Sequence, residues 1–389
     1  MAQIAWLGKK SPFCGNVSYG LSTTEALRRR GHQTHFIHFD NPRNPESVAT
    51  SLLANDPDVS LPYLVKSQVY TIPSPGAQRE LRDSLERLKP DVVHASLTLS
   101  PLDFRLPELC QQLGVPLVAT FHPPFDAGLR NITAGTQQLT YQLYAPALSR
   151  YDRVIVFSQL QADVLIRLGV PETRLVVIPN GVDTARWAPA SPSTTCLTLK
   201  RVRERLGGQR IFLYMGRLAT EKNVEALLRA WRLTSPAGCR LVIVGDGPLR
   251  SALMNQFADE NVLWWGHEPD QETRVALLQC AEVFVLPSLV EGLSLALLEA
   301  MASGTACVAT DAGADGEALE NGAGIVLSTQ GVTTQLRTLL PVLREQPVLT
   351  AELGRRARAR ALDRYTISRN IDAIEALYSS LLQPAHQAA

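Results

Sequence analysis

Two glutamates eight residues apart, Glu291 and Glu299, are the residues of this sequence best placed to do chemistry. An apolar run, Val283–Leu286, ends at Pro287. A short loop carries Glu291-Gly292, and a helix-forming stretch carries Glu299. At a strand-to-helix junction the exposed backbone N–H groups attract phosphate. Carboxylates beside them accept hydrogen bonds from hydroxyls, so the pair suits a ligand that is both polyhydroxylated and phosphorylated. If both glutamates lay on one helix they would stand about two turns apart and roughly 80° round from each other. The plain alternative is that glutamates are common helix residues in any parallel α/β sheet.

Other loops at expected strand ends add to this chemistry. Gly216-Arg217 followed by Lys222 sets two cations after a strand, with a glycine that permits close backbone approach to a diphosphate. A solvated loop holding an Arg and a Lys reads the same way. Gly245-Asp246-Gly247-Pro248 is a tight turn beside a ligand; without a third glycine it is not a dinucleotide fingerprint. Trp264-Trp265-Gly266-His267 offers aromatic walls to flank a base, although a Trp pair is more often core packing. His122 leaves a strand just before Pro123-Pro124, in the position of a loop residue over a site or of a hydrogen-bonded structural histidine. Gly15, between Cys14 and Asn16, opens a helix after the first strand. The D-x-D string Asp56-Pro57-Asp58 reads as a solvated turn rather than a metal clamp, and no metal or cofactor is called for.

These loops need strands and helices to hold them. Strands are expected at Ile4–Leu7, Thr34–Phe39, Asp91–His94, Leu117–Phe121, Arg153–Phe157 and Leu175–Ile178, with helices between them. A Pro/Ser/Thr-rich stretch from Trp187 to Thr198 reads as a boundary, after which a second series begins at Ile211–Met215 and runs to Ile325–Leu327. Repeated β–α units in two halves predict two doubly wound, Rossmann-like sheets facing across a cleft, with ligands at the carboxyl ends of the strands. The expected domains are residues 1–183 and 184–365, with a closing helix over 366–389 that crosses back to the first. The length of 389 residues, with 45% hydrophobic and 19% charged residues, suits two soluble domains. Residues 1–183 hold 17 Lys/Arg against 16 Asp/Glu, so no basic face points to nucleic acid. Six scattered cysteines suit a reducing compartment. The first residues read as a strand rather than a signal peptide, and no run reaches the ~20 apolar residues of a membrane span. A cytoplasmic protein, or one peripheral on the cytosolic face of a membrane, is expected.

The ordered set Gly216-Arg217-(x4)-Lys222, Gly245-Asp246-Gly247-Pro248 and Glu291-(x7)-Glu299 resembles the retaining GT-B glycosyltransferases of family 4, and the resemblance extends over nearly the whole chain. It implies a UDP-sugar donor and a metal-independent transfer with retention of configuration. It also implies that Arg217 and Lys222 bind the diphosphate, Glu299 the ribose, and Glu291 the donor sugar. The amides of Gly292, Leu293 and Ser294 would hold the sugar and β-phosphate, with Gly216, Gly245, Gly247 and His267 lining the donor. His122 matches the family's T-x-H position near the transferred sugar. Many members carry a double glycine in the first loop, where this chain has Cys14-Gly15-Asn16, so a donor contact by Gly15 is the weakest of these correspondences.

Within that family, the segments Gly8–Gly20, Lys66–Pro73 and His94–Phe104 are similar to digalactosyldiacylglycerol synthases of the cyanobacterial type. That similarity implies UDP-galactose as donor and a galactolipid acceptor at a membrane surface. Residues 125–148 would supply a docking face through Leu129, Ile132, Leu139, Tyr141, Leu143 and Tyr144, with Arg130 as their one base. The alternatives are a soluble sugar, sugar phosphate or polysaccharide acceptor, a non-catalytic nucleotide-sugar-binding protein, and an NAD-dependent oxidoreductase. Against the last, no G-x-G-x-x-G follows the first strand.

Overall fold

A computed structural model describes residues 1–11, 14–40, 58–67, 70–126, 128–191, 196–234 and 237–383. Asp56 and Pro57 of the D-x-D string, Gln68 and Val69 of the Lys66–Pro73 segment, and residues 192–195 of the expected boundary lie outside these. The chain divides into two compact units. The first comprises Met1–Pro123, Leu139–Pro179 and Ser368–Ala389; the second comprises Pro124–Gln138 and Asn180–Ile367.

The first unit is built on a seven-stranded sheet. Its strands are β1 (Gln3–Gly8), β2 (Gln33–Phe39), β3 (Val59–Leu61), β6 (Val92–Ser96), β7 (Leu117–Thr120), β8 (Arg153–Val156) and β9 (Leu175–Val177), ordered β3-β2-β1-β6-β7-β8-β9. A separate antiparallel pair, β4 (Tyr63–Lys66) with β5 (Thr71–Pro73), stands beside it. Every pairing in the large sheet is parallel, which requires helical crossovers and buries both faces. That is why β1 reads as an apolar run, and why Trp6, paired with Phe36 and His94, is fully buried. The helix Ile367–Leu382 brings residues from Ser368 onward into this unit. Arg30 pairs with Asp372 and with Glu375 (2.7 Å), and His94 Nδ1 lies 2.5 Å from the Tyr378 hydroxyl.

The second unit has six parallel strands: β10 (Arg210–Met215), β11 (Cys239–Val244), β12 (Val262–Gly266), β13 (Ala281–Leu286), β14 (Ala306–Thr310) and β15 (Ile325–Leu327). Their order, β12-β11-β10-β13-β14-β15, places the reversal of winding between β10 and β13. In an open α/β sheet the crevice at that reversal is where ligands bind. The loops leaving β10 and β13 are those that carry Arg217, Lys222 and Glu291. The segment Pro124–Gln138, from the first half of the sequence, is also part of this unit.

Candidate functional site

In the second unit the loop after β10 begins at Gly216, whose absent Cβ would lie 2.8 Å from the Tyr214 hydroxyl. That hydroxyl donates to the Arg217 carbonyl at 2.7 Å and holds the loop against the sheet end. The Arg217 guanidinium pairs with Glu221. Lys222, at the end of a single 3-10 turn, places its ammonium 2.5 Å from Glu291 Oε1, and the Ser288 hydroxyl donates to the same oxygen at 2.7 Å. The Leu289 amide donates to the Glu221 carbonyl at 2.8 Å, so the two loops flanking the reversal are bonded to one another.

The turn after β11 braces the same place. Gly245 sits at φ +138°, and a Cβ there would come within 1.9 Å of the Gly216 carbonyl oxygen, an approach only glycine allows. The Leu218 amide donates to the Asp246 carbonyl at 2.9 Å, and Leu249 returns a bond to Leu218. Gly245 and Gly247 therefore let one loop pack on the other.

The helix beyond Glu291 starts only at Leu295, so Glu291 lies in the loop and the 80° relation to Glu299 does not apply. Ser294 caps that helix, accepting from the Leu297 amide through its side chain at 3.4 Å. Its own amide donates to Asp315 Oδ1 at 2.8 Å and is thereby committed within the protein. The Gly292 and Leu293 amides carry no hydrogen bond among the described residues, and with the helix N-terminus they form the anion-facing edge of the loop. Asp315 was not anticipated from sequence. It is fully buried, its Oδ2 has no partner, and burial, then the nearby Glu291, pushes its carboxyl well above the usual range. An acidic residue among the Ala and Gly of Ala312–Gly316 was the one available signal. Gly313, at φ +58°, would place a Cβ 2.0 Å from the Glu291 carbonyl oxygen, so this neighbour also lies hard against the loop. Glu299 makes no side-chain hydrogen bond among the described residues. Burial raises its carboxyl to about 7, with Arg274 pulling the other way.

A strap from Pro124–Gln138 crosses the same loop. The Phe125 amide donates to the Glu291 carbonyl at 2.8 Å and the Glu291 amide to the Phe125 carbonyl at 3.3 Å, a one-residue antiparallel bridge. Asn131 Nδ2 donates to the Leu289 carbonyl at 3.2 Å. Arg130, expected to be a free base on a docking face, is instead committed: its Nη2 meets buried Asp126 at 2.6 Å and its Nη1 meets Asp311 at 2.6 Å.

In the first unit, Gly15 is exposed at the start of the helix Gly15–Arg29, and the protein places nothing within 4 Å of where its Cβ would be. His122 follows β7 and packs against Tyr19 and Phe157, at ring centroid distances of 4.9 and 5.2 Å. Its Nε2 is 2.8 Å from Ser96 Oγ, which donates to Asn16 Oδ1 at 2.9 Å. Burial, with the Lys9 cation, lowers the His122 pKa to about 3, so the imidazole is neutral. Asp103, buried and accepting from the Tyr144 hydroxyl at 2.8 Å, is raised by burial to about 6.

Three expectations fare less well or differently. Tyr141 and Tyr144 point inward and are buried, with Tyr141 donating to the Pro123 carbonyl at 2.8 Å. They leave the expected docking face, while Leu129, Ile132, Leu139 and Leu143 are exposed. Trp265 is half-buried under the Arg205 guanidinium, 3.7 Å above its ring, rather than open as an aromatic wall; His267 beyond it is exposed. Asp58 pairs with Lys10.

Residues 15–186 match the model of Glycosyltransferase Family 4, and residues 209–341 that of the Glycosyl transferases group 1. Glycogen synthase of Mycobacterium tuberculosis is 32% identical over 285 residues, 70% of this chain and 64% of the relative. Alpha-monoglucosyldiacylglycerol synthase of Streptococcus pneumoniae is 28% identical over 52% of this chain and 47% of its own length. The chain thus spans less than two thirds of the length of these relatives. An Escherichia coli UDP-Gal:alpha-D-GlcNAc-diphosphoundecaprenol alpha-1,3-galactosyltransferase is 26% identical over 77% of both chains. Among solved structures, Anabaena HepE in complex with UDP-glucose superposes with a TM-score of 0.79 over 98% of this chain and all of the other, at 18% identity. With both halves of the chain matched and the two-sheet fold shared, this chain has the GT-B fold and matches the Glycosyltransferase Family 4 and Glycosyl transferases group 1 models.

Proposed function

We propose that the chain transfers a hexosyl group, with retention, from a UDP-sugar to an acceptor hydroxyl. The observation that carries this reading is the convergence of Lys222, Glu291 and the unbonded amides of Gly292 and Leu293 at the reversal between β10 and β13. Arg217 and Lys222 supply the positive charge for the diphosphate. Glu299, whose carboxyl makes no hydrogen bond among the described residues, takes the ribose hydroxyls. Glu291, held by Lys222 and Ser288, takes the sugar hydroxyls. In the transfer, the acceptor oxygen bonds to the anomeric carbon as the bond from that carbon to the β-phosphate oxygen breaks. The electron pair leaves on UDP, whose phosphate takes the acceptor's proton on the same face. Cations beside the departing diphosphate stabilise the charge that develops there.

UDP-galactose is the proposed donor and a galactolipid the proposed acceptor, converting a monogalactosyl to a digalactosyl lipid at the cytosolic face of a membrane. Leu139 and Leu143 are 65% and 63% exposed along the helix Ile132–Leu148, and their spacing puts them on one face. Such a face suits contact with a neutral lipid surface. No described helix is long and apolar enough to cross a membrane. Two relatives are named for lipid or lipid-linked substrates, whereas the mycobacterial one is named for a polysaccharide. The soluble-acceptor reading therefore stands second. Radiolabelled UDP-galactose and UDP-glucose, each offered with galactolipid liposomes and with soluble sugars, decide the matter. Label from UDP-galactose in a digalactosyl lipid is the expected result. Label only in a soluble product keeps the transferase and removes the lipid, and no transfer from either donor removes the proposal.

A further inference from the structure

The hydrogen bonds around His122 determine which of its two nitrogens carries the proton. The Leu97 backbone carbonyl can only accept, so the Asn16 atom 2.8 Å from it is the amide nitrogen, and Asn16 Oδ1 faces the other way. That oxygen in turn can only accept, so the Ser96 hydroxyl, 2.9 Å away, spends its single hydrogen there. Ser96 Oγ then has only lone pairs for His122 Nε2 at 2.8 Å, and Nε2 must be the donor. In a neutral imidazole one nitrogen carries the hydrogen, so Nδ1 is left with its lone pair. No hydrogen bond to Nδ1 is present among the described residues.

We infer that Asn16, acting through Ser96, is a positioning residue that fixes His122 as its Nε2–H tautomer, so that Nδ1 is presented as an acceptor to a substrate hydroxyl. The inference rests on the proposed transferase reading and on the resemblance that sets His122 near the transferred sugar. Asn16 stands next to Gly15 in the loop where this chain departs from a double glycine, and neither a glycine nor any other residue without a side-chain acceptor could build the relay. The sheet explains the precision. Ser96 ends β6 and His122 lies two residues beyond β7, and these strands pair in register with Ser96 opposite Thr120, while Asn16 opens the helix that follows β1.

Imidazole nitrogen NMR on the full chain, with the His122 signals identified by their loss in His122→Ala, reads the tautomer directly. The wild type should show a protonated Nε2 and a bare Nδ1. Asn16→Ala releases the Ser96 hydrogen toward Nε2, so the tautomer should shift, and transfer from UDP-galactose or UDP-glucose should fall roughly ten- to a hundredfold, the scale of a misaligned substrate contact. UDP affinity should not change. Ser96→Ala removes the acceptor of the Nε2 proton and serves if Asn16→Ala does not fold. A wild-type Nδ1–H signal, or an unaltered tautomer in Asn16→Ala, overturns the inference while leaving the transferase reading intact. Undiminished transfer by His122→Ala overturns the role of His122, and the inference with it.

Discussion

The donor loops of the second unit and the His122 cluster of the first both sit at the carboxyl ends of parallel strands, yet they are built from opposite electrostatics. In the second unit the cations of these loops are paired with carboxylates: Lys222 with Glu291, Arg217 with Glu221, and Arg130 with Asp126 and Asp311. Around His122 burial keeps the imidazoles uncharged. The imidazoles of His94 and His122 are both held near 3, and partners are chosen by donor and acceptor role rather than by charge. A departing diphosphate needs positive charge already in place, because reorganising it during the reaction would cost rate. A hydroxyl needs a directed lone pair, which a neutral imidazole supplies. The same sheet architecture thus hosts two chemistries, and the side chains on the loops decide which.

The contrast breaks most sharply at Lys222. Lys222→Ala removes charge from the diphosphate and leaves Glu291, 8% exposed at its side chain, without its partner. Turnover of UDP-sugar should fall about a hundred- to a thousandfold, the usual loss for one preorganised electrostatic contact. A rate within a few fold of wild type would remove Lys222 from the reaction. His122→Ala should lower transfer by about a hundredfold with little change in UDP affinity. If affinity falls in step with rate, the first unit's cluster serves donor binding rather than transfer.

Some of this was legible in the sequence and some was not. Strand-end loops rich in Gly, with Arg217, Lys222 and Glu291, stand out because a parallel sheet alternates apolar runs with such loops. The loop place of Glu291-Gly292 is legible, but the exact helix start is not, because the capping Ser294 is a single polar residue within the run Leu293–Leu298 and so a weak signal. Tyr141 and Tyr144 were read as part of an exposed face because the amphipathic ring of Tyr fits a surface and a core alike, and only their partners in the fold decide. The strap is illegible for a different reason. Phe125 and Glu291 are bonded through backbone atoms, which carry no sequence signature, and Arg130 and Asp311, the pair that closes the clamp, are 181 residues apart.

The strap supplies a test of the donor side that touches no proposed ligand contact. Both backbone groups of Glu291 are bonded to Phe125, and Arg130 holds the strap to the β14 loop through Asp311. Arg130→Ala should loosen the bridge, lowering turnover about tenfold, since displacements of ~1 Å can cost up to about a hundredfold. UDP should bind as before, because Arg217, Lys222 and Glu299 are untouched. Hydrogen exchange of the peptide spanning residues 287–294 should quicken in the same variant. Arg130→Lys should recover little, as an ammonium cannot reproduce the planar fork that reaches both carboxylates. Unchanged exchange in Arg130→Ala would show that the loop is held without the strap.

The smallest effect is expected at Glu299, where it takes the form of a pH dependence. Its carboxyl is raised from 4.5 to about 7 by burial, so the folded protein holds this proton more tightly than the unfolded chain. The stability of the ligand-free protein should therefore lose this group's share as pH rises from about 4.5 through about 7, and lose no more above that. Donor binding runs the other way. Ribose hydroxyls donate most strongly to an ionised carboxylate, so UDP affinity should rise a few fold between about pH 6 and about pH 8. Glu299→Gln keeps the shape and removes the titration. It should flatten both curves, with melting temperatures less sensitive to pH and UDP affinity constant at the weaker, low-pH level. Parallel pH profiles for wild type and Glu299→Gln would mean that the buried carboxyl is a packing feature of its helix. The second unit's reliance on charge would then end at Lys222, Arg217 and Glu291.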